Sequence, residues 1–259
     1  LNSIVCITHV PDTETRIRIA PDGRKIDEAG VKFIVSPYDE YALEQAIRLK
    51  EAKGGDVTVL TFGPERAGQG LREALARGAT RALHVKGDAT EADSLGIAKV
   101  LAAAIKTLPH DIVFFGKQGV GTDNALVGPM VAEVLGYPQV NVVTHLNVGD
   151  GKLTAHREIE GAEEVVEAST PAVITAQKGL NEPRYASLKG IMAAKKIAID
   201  TKSPADLGLN DGDIYRQRVV FVALELPKEK SGGRKIDGAD PAAAAKEILK
   251  YIREEAKAL

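Results

Sequence analysis

Apolar residues along the chain fall into short continuous runs that alternate with stretches of helical period. Runs at Ile4–Val10, Val57–Phe62, Ala82–Val85, Ile112–Phe115 and Ala172–Ala176 read as strands buried on both faces. Between them Ala42, Leu43, Ala46, Ile47 and Leu49 recur at helical spacing, as do Leu71, Ala74 and Leu75, and then Ile97, Val100, Leu101, Ala104 and Ile105. Ser36-Pro37 reads as a capping hydroxyl before a proline at the first helical position, and Gly54-Gly55 stops that helix near Lys53. Gly78 ends the second helix, while Asp93 or Ser94 caps the third and Pro109 marks its exit. The alternation predicts an α/β fold, a mostly parallel sheet flanked by helices on both faces.

The pattern departs from this rhythm in four places. Arg16–Ile19 and Val31–Val35 flank a Pro-Asp-Gly turn and predict a hairpin-like excursion. Beyond Tyr137-Pro138 the period shortens: Val140–Val143, Leu146–Val148, Leu153–Glu158 and Glu163–Ala168, joined at Gly149–Gly151 and Gly161, predict an inserted antiparallel β-hairpin. Ile197–Ile199 and Ser203-Pro204 lead to a second apolar strand predicted at Val219–Leu226. Pro227–Lys235 then reads as a linker, and Pro241 opens a C-terminal helical arm with Ile248, Leu249 and Ile252 on one side. The expected division is therefore an α/β domain over 1–226 and a linker with arm over 227–259.

Two segments carry candidate chemistry. After Phe115 the sequence GKQGVGTDNALVGPMVAEVLG joins a glycine-rich turn to a helix predicted from about Asn124 to Leu135. Gly116, Gly119 and Gly121 allow close backbone approach, a helix N-terminus offers unpaired N–H groups, and Lys117 adds charge, a set that suits phosphate. It is neither a Walker A loop nor a GxGxxG fingerprint, and glycine in such a turn equally serves geometry alone. The second segment runs from Pro171 to Lys196: a strand at Ala172–Ala176, a polar turn to Pro183, then Leu188, Ile191 and Met192 at helical spacing beside Lys189, Lys195 and Lys196. Apolar side chains and positive charge together suit docking onto another protein, whereas the same stripe equally serves its own core.

Composition narrows the function. A 259-residue chain that is 44% hydrophobic can bury a sizeable core. Lys plus Arg number 34 against 36 Asp plus Glu, which argues against a general nucleic-acid surface. The single cysteine, Cys6, lies in the first predicted strand, where a buried inert thiol is expected, and it excludes an internal disulfide framework. No apolar run approaches membrane-spanning length and no leader-like segment opens the given chain, so membrane insertion is not expected. A cytoplasmic location is expected, or the mitochondrial matrix in a eukaryote. His9, His84, His110, His145 and His156 show no metal-ligand spacing, no serine sits in a nucleophile elbow, and no general acid and base pair stands out. Binding or carrying is favoured over catalysis by the chain's own side chains.

Arg157–Gly161, Pro171–Thr175, Leu180–Tyr185 and Leu188–Lys196, in that order, resemble the signature of the electron transfer flavoprotein β subunit. The likeness extends over essentially the whole chain, including the opening strand, Ser36-Pro37, Phe62-Gly63-Pro64 and the Gly116–Pro129 loop. It implies an adenine-nucleotide-binding fold of the doubly wound type, in a heterodimer whose α subunit holds most of a redox-active FAD and is embraced by the C-terminal arm. It implies a structural AMP held in this subunit by Cys6, Ser36, Pro37, Tyr38, Asp39, Phe62, Gly116, Lys117, Gln118, Gly119, Val120, Gly121, Thr122, Asp123, Asn124, Ala125, Leu126 and Val127. Partner binding falls to Glu158, Arg184, Tyr185, Leu188, Ile191 and Met192. Leu188 matches the anchor for dehydrogenases, and Glu158 a carboxylate that pairs with an α-subunit arginine. Electrons would pass from acyl-CoA or related dehydrogenases to a membrane quinone oxidoreductase. Thr13 stands where an aromatic often lies near the flavin, and Ala125 and Val127 replace polar side chains expected near the phosphate, which shifts phosphate binding toward backbone amides. A related group that carries FAD in this subunit and bifurcates electrons from NADH is the alternative, and a stand-alone nucleotide-binding regulatory domain is a third.

Overall fold

The computed structural model describes residues 1–228 and 233–258, and its contacts divide the chain into two units, Leu1–Ala223 and Leu224–Leu259. In the first unit the chain runs β1 (Ser3–Cys6), β2 (His9–Pro11), β3 (Phe33–Val35), α1 (Pro37–Lys53), β4 (Val57–Gly63), α2 (Ala67–Arg77), β5 (Arg81–Lys86), α3 (Ser94–Ile105) and β6 (Ile112–Gly116). It continues through α4 (Val127–Leu135), β7 (Gln139–Val148), β8 (Lys152–Ile159), β9 (Ala162–Ser169), β10 (Ala172–Ala176), α5 (Leu188–Ala194), β11 (Asp200–Lys202) and α6 (Asp211–Ile214). The second unit holds α7 (Pro241–Lys250), capped by the Asp240 carboxylate and followed by a π-helical turn at Tyr251–Glu255.

The main sheet has nine strands in the order β11-β5-β4-β1-β6-β10-β7-β8-β9. Every pairing from β11 to β7 is parallel, and β8 and β9 then add antiparallel. Strands β1, β4, β6 and β10 are buried at every position because helices cover both faces, which is why they read as unbroken apolar runs. One core lies beneath α1, α2 and α5, the other beneath α3, α4 and α6. No helix among the described residues is long and apolar enough to cross a membrane. The predicted α/β class, the spans of α1 and β10, and the Asp93 cap of α3 hold as read.

Five local expectations are corrected. The partner of Phe33–Val35 is His9–Pro11, and between them Ile19 and Ile26 form only an isolated antiparallel bridge. Helix α4 begins at Val127, not Asn124. Asp123 (φ 47°) and Ala125 (φ 52°) hold left-handed backbone, and Pro129, lacking an N–H, falls in the first turn where none is needed. The two segments predicted at Val140–Val143 and Leu146–Val148 are one strand, β7, with a register shift after Val143, so the insertion is a three-stranded meander. Ser36 precedes α1, yet its hydroxyl makes no capping bond. Val219–Leu226 is not a strand: Val219, Val220, Phe221, Val222 and Leu226 are exposed in irregular backbone, and the segment pairs with neither edge strand, β11 or β9. Of the linker read at Pro227–Lys235, residues 229–232 lie outside the described residues.

Candidate functional site

Sheet order reverses beside β1. The chain leaves β1 through α1 for β4 on one side, and later returns to place β6 on the other. At such a switch point the connections diverge and leave a crevice beyond the carboxyl ends of the strands, the usual ligand position in doubly wound folds. Cys6 ends β1 level with Leu60, Phe62 lies two residues further along β4, and Gly116 ends β6. The first turn of α1 and the loop over 117–126 close the same end. Cys6, Ser36, Pro37, Tyr38, Asp39, Phe62, Gly116 and Lys117–Val127 are thus gathered from five segments into one region.

Asp39 organises it. Its buried carboxylate accepts the backbone N–H of Thr8 at 2.7 Å and of Gly116 at 2.9 Å, tying the exits of β1 and β6 to α1. Burial pushes its pKa up to about 7 against the pull of those donors. Gly116 is required here, because a Cβ would stand 2.5 Å from the Asp39 Oδ1 and 2.6 Å from the Tyr38 carbonyl carbon. Burial, with the Asp39 charge second, raises the Cys6 thiol well above its ordinary value, so it lines the site without reacting.

Two features are receptive to an anion. The Ser36 Oγ is fully buried and has no hydrogen-bond partner, a state that costs about 1–3 kcal/mol unless something satisfies it. Across the loop, the amides of residues 118–122, 124 and 125 donate to no protein acceptor among the described residues. Lys117 lies 5.0 Å over the Tyr38 ring, placing a cation between α1 and the loop. Internal bonds set the loop's shape: Gln118 Nε2 donates to Asp123 Oδ1 at 2.7 Å, Thr122 Oγ1 to the Gly119 carbonyl at 3.3 Å, and Asn124 Nδ2 to Ser94 Oγ at 3.0 Å. Gly121 (φ 101°), Asp123 and Ala125 supply left-handed backbone in a loop with several free N–H groups, a combination that suits phosphate oxygens.

The second region lies around α5. Tyr185 is 94% exposed, Leu188 84% and Met192 59%, and Ile191 is also exposed, so the stripe serves no core of its own chain. Arg184, beside them, turns inward: its Nε donates to Glu44 Oε2 at 2.8 Å and its Nη1 to Glu51 Oε1 at 2.5 Å, both on α1. Glu158 stands apart on β8, exposed and in register with Glu163 of β9. Sequence reasoning missed Thr8, Glu44 and Glu51. A carboxylate at Glu44 inside the apolar stripe of α1 was the available signal, but its partner lies 140 residues away.

These features define a class: a doubly wound α/β protein with an anion-receptive loop at its switch point and a separate exposed apolar ridge. The electron transfer flavoprotein domain profile matches residues 24–207. The chain is 37% identical to the electron transfer flavoprotein subunit beta of Bacillus subtilis over the full length of both chains. It is 39% identical to the subunit beta of Syntrophomonas wolfei, covering 99% of this chain and 98% of the relative, and 36% to that of Homo sapiens, covering 96% and 98%. The chain belongs to the electron transfer flavoprotein family, as a β subunit. Membership carries association with a flavin, with an α subunit, and with electron transport.

Proposed function

We propose that this chain is the nucleotide-holding and partner-docking half of a heterodimeric electron carrier. It binds AMP at the switch point and docks acyl-CoA or related dehydrogenases through the Leu188 ridge. FAD held mainly by the α subunit supplies the redox chemistry when bound, and a quinone oxidoreductase receives the electrons. The chain itself binds and positions, with no catalysis by its own side chains.

The observation that carries the AMP assignment is the set of free loop amides with Lys117 over Tyr38, in a region where the Ser36 hydroxyl, two residues before Tyr38, is buried and unpartnered. That donor set fits a phosphate, and the buried Cys6 and Phe62 provide an apolar floor beside it. Backbone amides and Ser36 carry the phosphate, in keeping with Ala125 and Val127 having no polar side chain to offer. The ridge suits a partner with an apolar pocket rimmed by carboxylates, since Lys189, Lys195 and Lys196 are exposed and form no ion pair among the described residues.

The test is to co-express the chain with its large subunit, denature the purified complex and count the released nucleotides by chromatography. One AMP and one FAD per heterodimer supports the proposal. Two FAD assigns the subunit to the bifurcating group, and no stable complex with any nucleotide returns it to a stand-alone regulatory domain.

A further inference from the structure

A docking ridge is useful only if it is held in one place, because ordering a loose segment on contact subtracts from affinity. In the segment from Leu180 to Ile197 only Ala194 is fully buried among the hydrophobic residues, and Leu180, Ala186 and Ile197 pack part-buried against the core. Those contacts set its distance from the core, and polar clamps at either end with a close approach between them set its direction. At the N-terminal end Arg184 grips two carboxylates of α1. Nε and Nη2 reach the two oxygens of Glu44 at 2.8 and 3.1 Å, and Nη1 and Nη2 reach those of Glu51 at 2.5 and 2.9 Å. The Glu44 side chain is only 4% exposed and also receives Arg48 Nε at 2.7 Å. Burial alone would raise its pKa, but the hydrogen bonds from Arg184 and Arg48 outweigh that and hold it below the ordinary value. Arg48 Nη2 reaches back to the Glu182 carbonyl at 3.1 Å, and Asn181 Nδ2 donates to the Tyr41 carbonyl at 3.0 Å.

At the other end Arg72, on α2, donates through Nη1 to the carbonyls of Ala194 and, at 2.6 Å, Ile197, which lie at and beyond the last turn of α5. Between the clamps Gly190 lies so close to α2 that a Cβ would collide with the Ala76 carbonyl oxygen. Helices α1 and α2 both pack on the parallel sheet, so both ends of the ridge are referred to the rigid core.

We infer that Arg184 with Glu44 and Glu51, together with Arg72, are positioning residues that pre-organise the Tyr185–Met192 ridge for docking. The inference rests on the docking reading above. None of these side chains needs to touch the partner; they hold what does. A fork of guanidinium donors on two carboxylates fixes direction as well as distance, which a lysine at 184 would not reproduce.

The experiment uses the heterodimer carrying Arg184→Met, Arg184→Lys, Glu51→Gln or Leu188→Ala, with an acyl-CoA dehydrogenase as electron donor. Two quantities are read: amide exchange over residues 187–194 in the carrier alone, and KM for the carrier against kcat. Arg184→Met is expected to speed exchange and raise KM by about tenfold with kcat unchanged, as ordering is deferred to the encounter. Arg184→Lys should recover only part of both, and Glu51→Gln, at an exposed partner that folding does not need, should shift both in the same direction by less. Leu188→Ala should raise KM without altering exchange. Wild-type KM in Arg184→Met and Glu51→Gln, with KM raised in Leu188→Ala, overturns the positioning role and leaves the docking reading standing. Wild-type KM in Leu188→Ala overturns the docking reading itself.

Discussion

The Asp39 carboxylate accepts the backbone N–H of Gly116 at 2.9 Å, joining the first turn of α1 to the end of β6. The bond closes one wall of the switch-point crevice, and it works only because residue 116 has no side chain. Gly116→Ala would set a methyl group against Asp39 Oδ1 and the Tyr38 backbone, none of which is the free end of a flexible side chain. The expected result is a loss of about 1–3 kcal/mol from overpacking, read as a lower Tm. Released-nucleotide analysis should show reduced occupancy as well. A variant with wild-type stability and full occupancy would mean that the crevice tolerates a shift of α1.

The same carboxylate sets a pH dependence. Its pKa is about 7 in the folded protein against an ordinary 3.8, so between those values the folded state holds a proton that the unfolded chain releases. The resulting stabilisation is fully present below about pH 4 and is lost as pH rises through about 7. Denaturant titrations of the wild-type heterodimer from pH 5 to 8, beside Asp39→Asn, check this: the downward slope attributable to the site should flatten in the variant. An unchanged slope would assign the pH dependence elsewhere.

Cys6 is 4% exposed and its thiol is raised by burial and by the Asp39 charge. An alkylating reagent at neutral pH should therefore label it only on global unfolding, and mass spectrometry over a denaturant series gives the comparison. Labelling well before the unfolding transition would show that the crevice opens locally.

How much of this was legible depended on the range of the interactions. The spans of α1 and β10 followed from local pattern, because a proline at the first helical position, a double glycine stop and an unbroken β-branched run are local constraints. The start of α4 did not, since left-handed backbone at Asp123 and Ala125 is imposed by the loop and neither residue announces it. Arg184 entered with the partner-binding residues through resemblance, and nothing near it in sequence shows its bonds to Glu44 and Glu51, about one domain's length away in the chain. The gathering of the loop with Ser36 and Cys6 is a property of strand order, which the alternation of elements constrains but does not spell out.

Val219–Leu226 reads as a strand from its apolar composition, and the structure leaves it exposed in irregular backbone. Apolar composition specifies removal from water, not the surface that achieves it, and here Val219, Phe221 and Val222 are exposed. The chain expressed alone should bind a hydrophobic dye and self-associate, and adding the α subunit should protect the amides of residues 219–226 from exchange. Absence of protection in the purified heterodimer would place the α-subunit contact elsewhere.

Leu188 is the first residue of α5 and 84% exposed, so truncating it removes no packing from this chain. Burying such a side chain in a partner's pocket contributes about 1.5–3 kcal/mol. At 1.4 kcal/mol per tenfold, Leu188→Ala should raise KM for the carrier by roughly ten- to a hundredfold in dehydrogenase-driven reduction. Tm and nucleotide content should stay at wild-type values, because α5 keeps its Ser187 cap on Gly190 and its close approach to Ala76. The discriminating comparison is reduction by a small-molecule reductant, which needs no docking and should proceed at the wild-type rate. A variant slowed equally with both donors would have a disturbed flavin environment, and one slowed with neither would show that the exposed ridge faces something other than the electron donor.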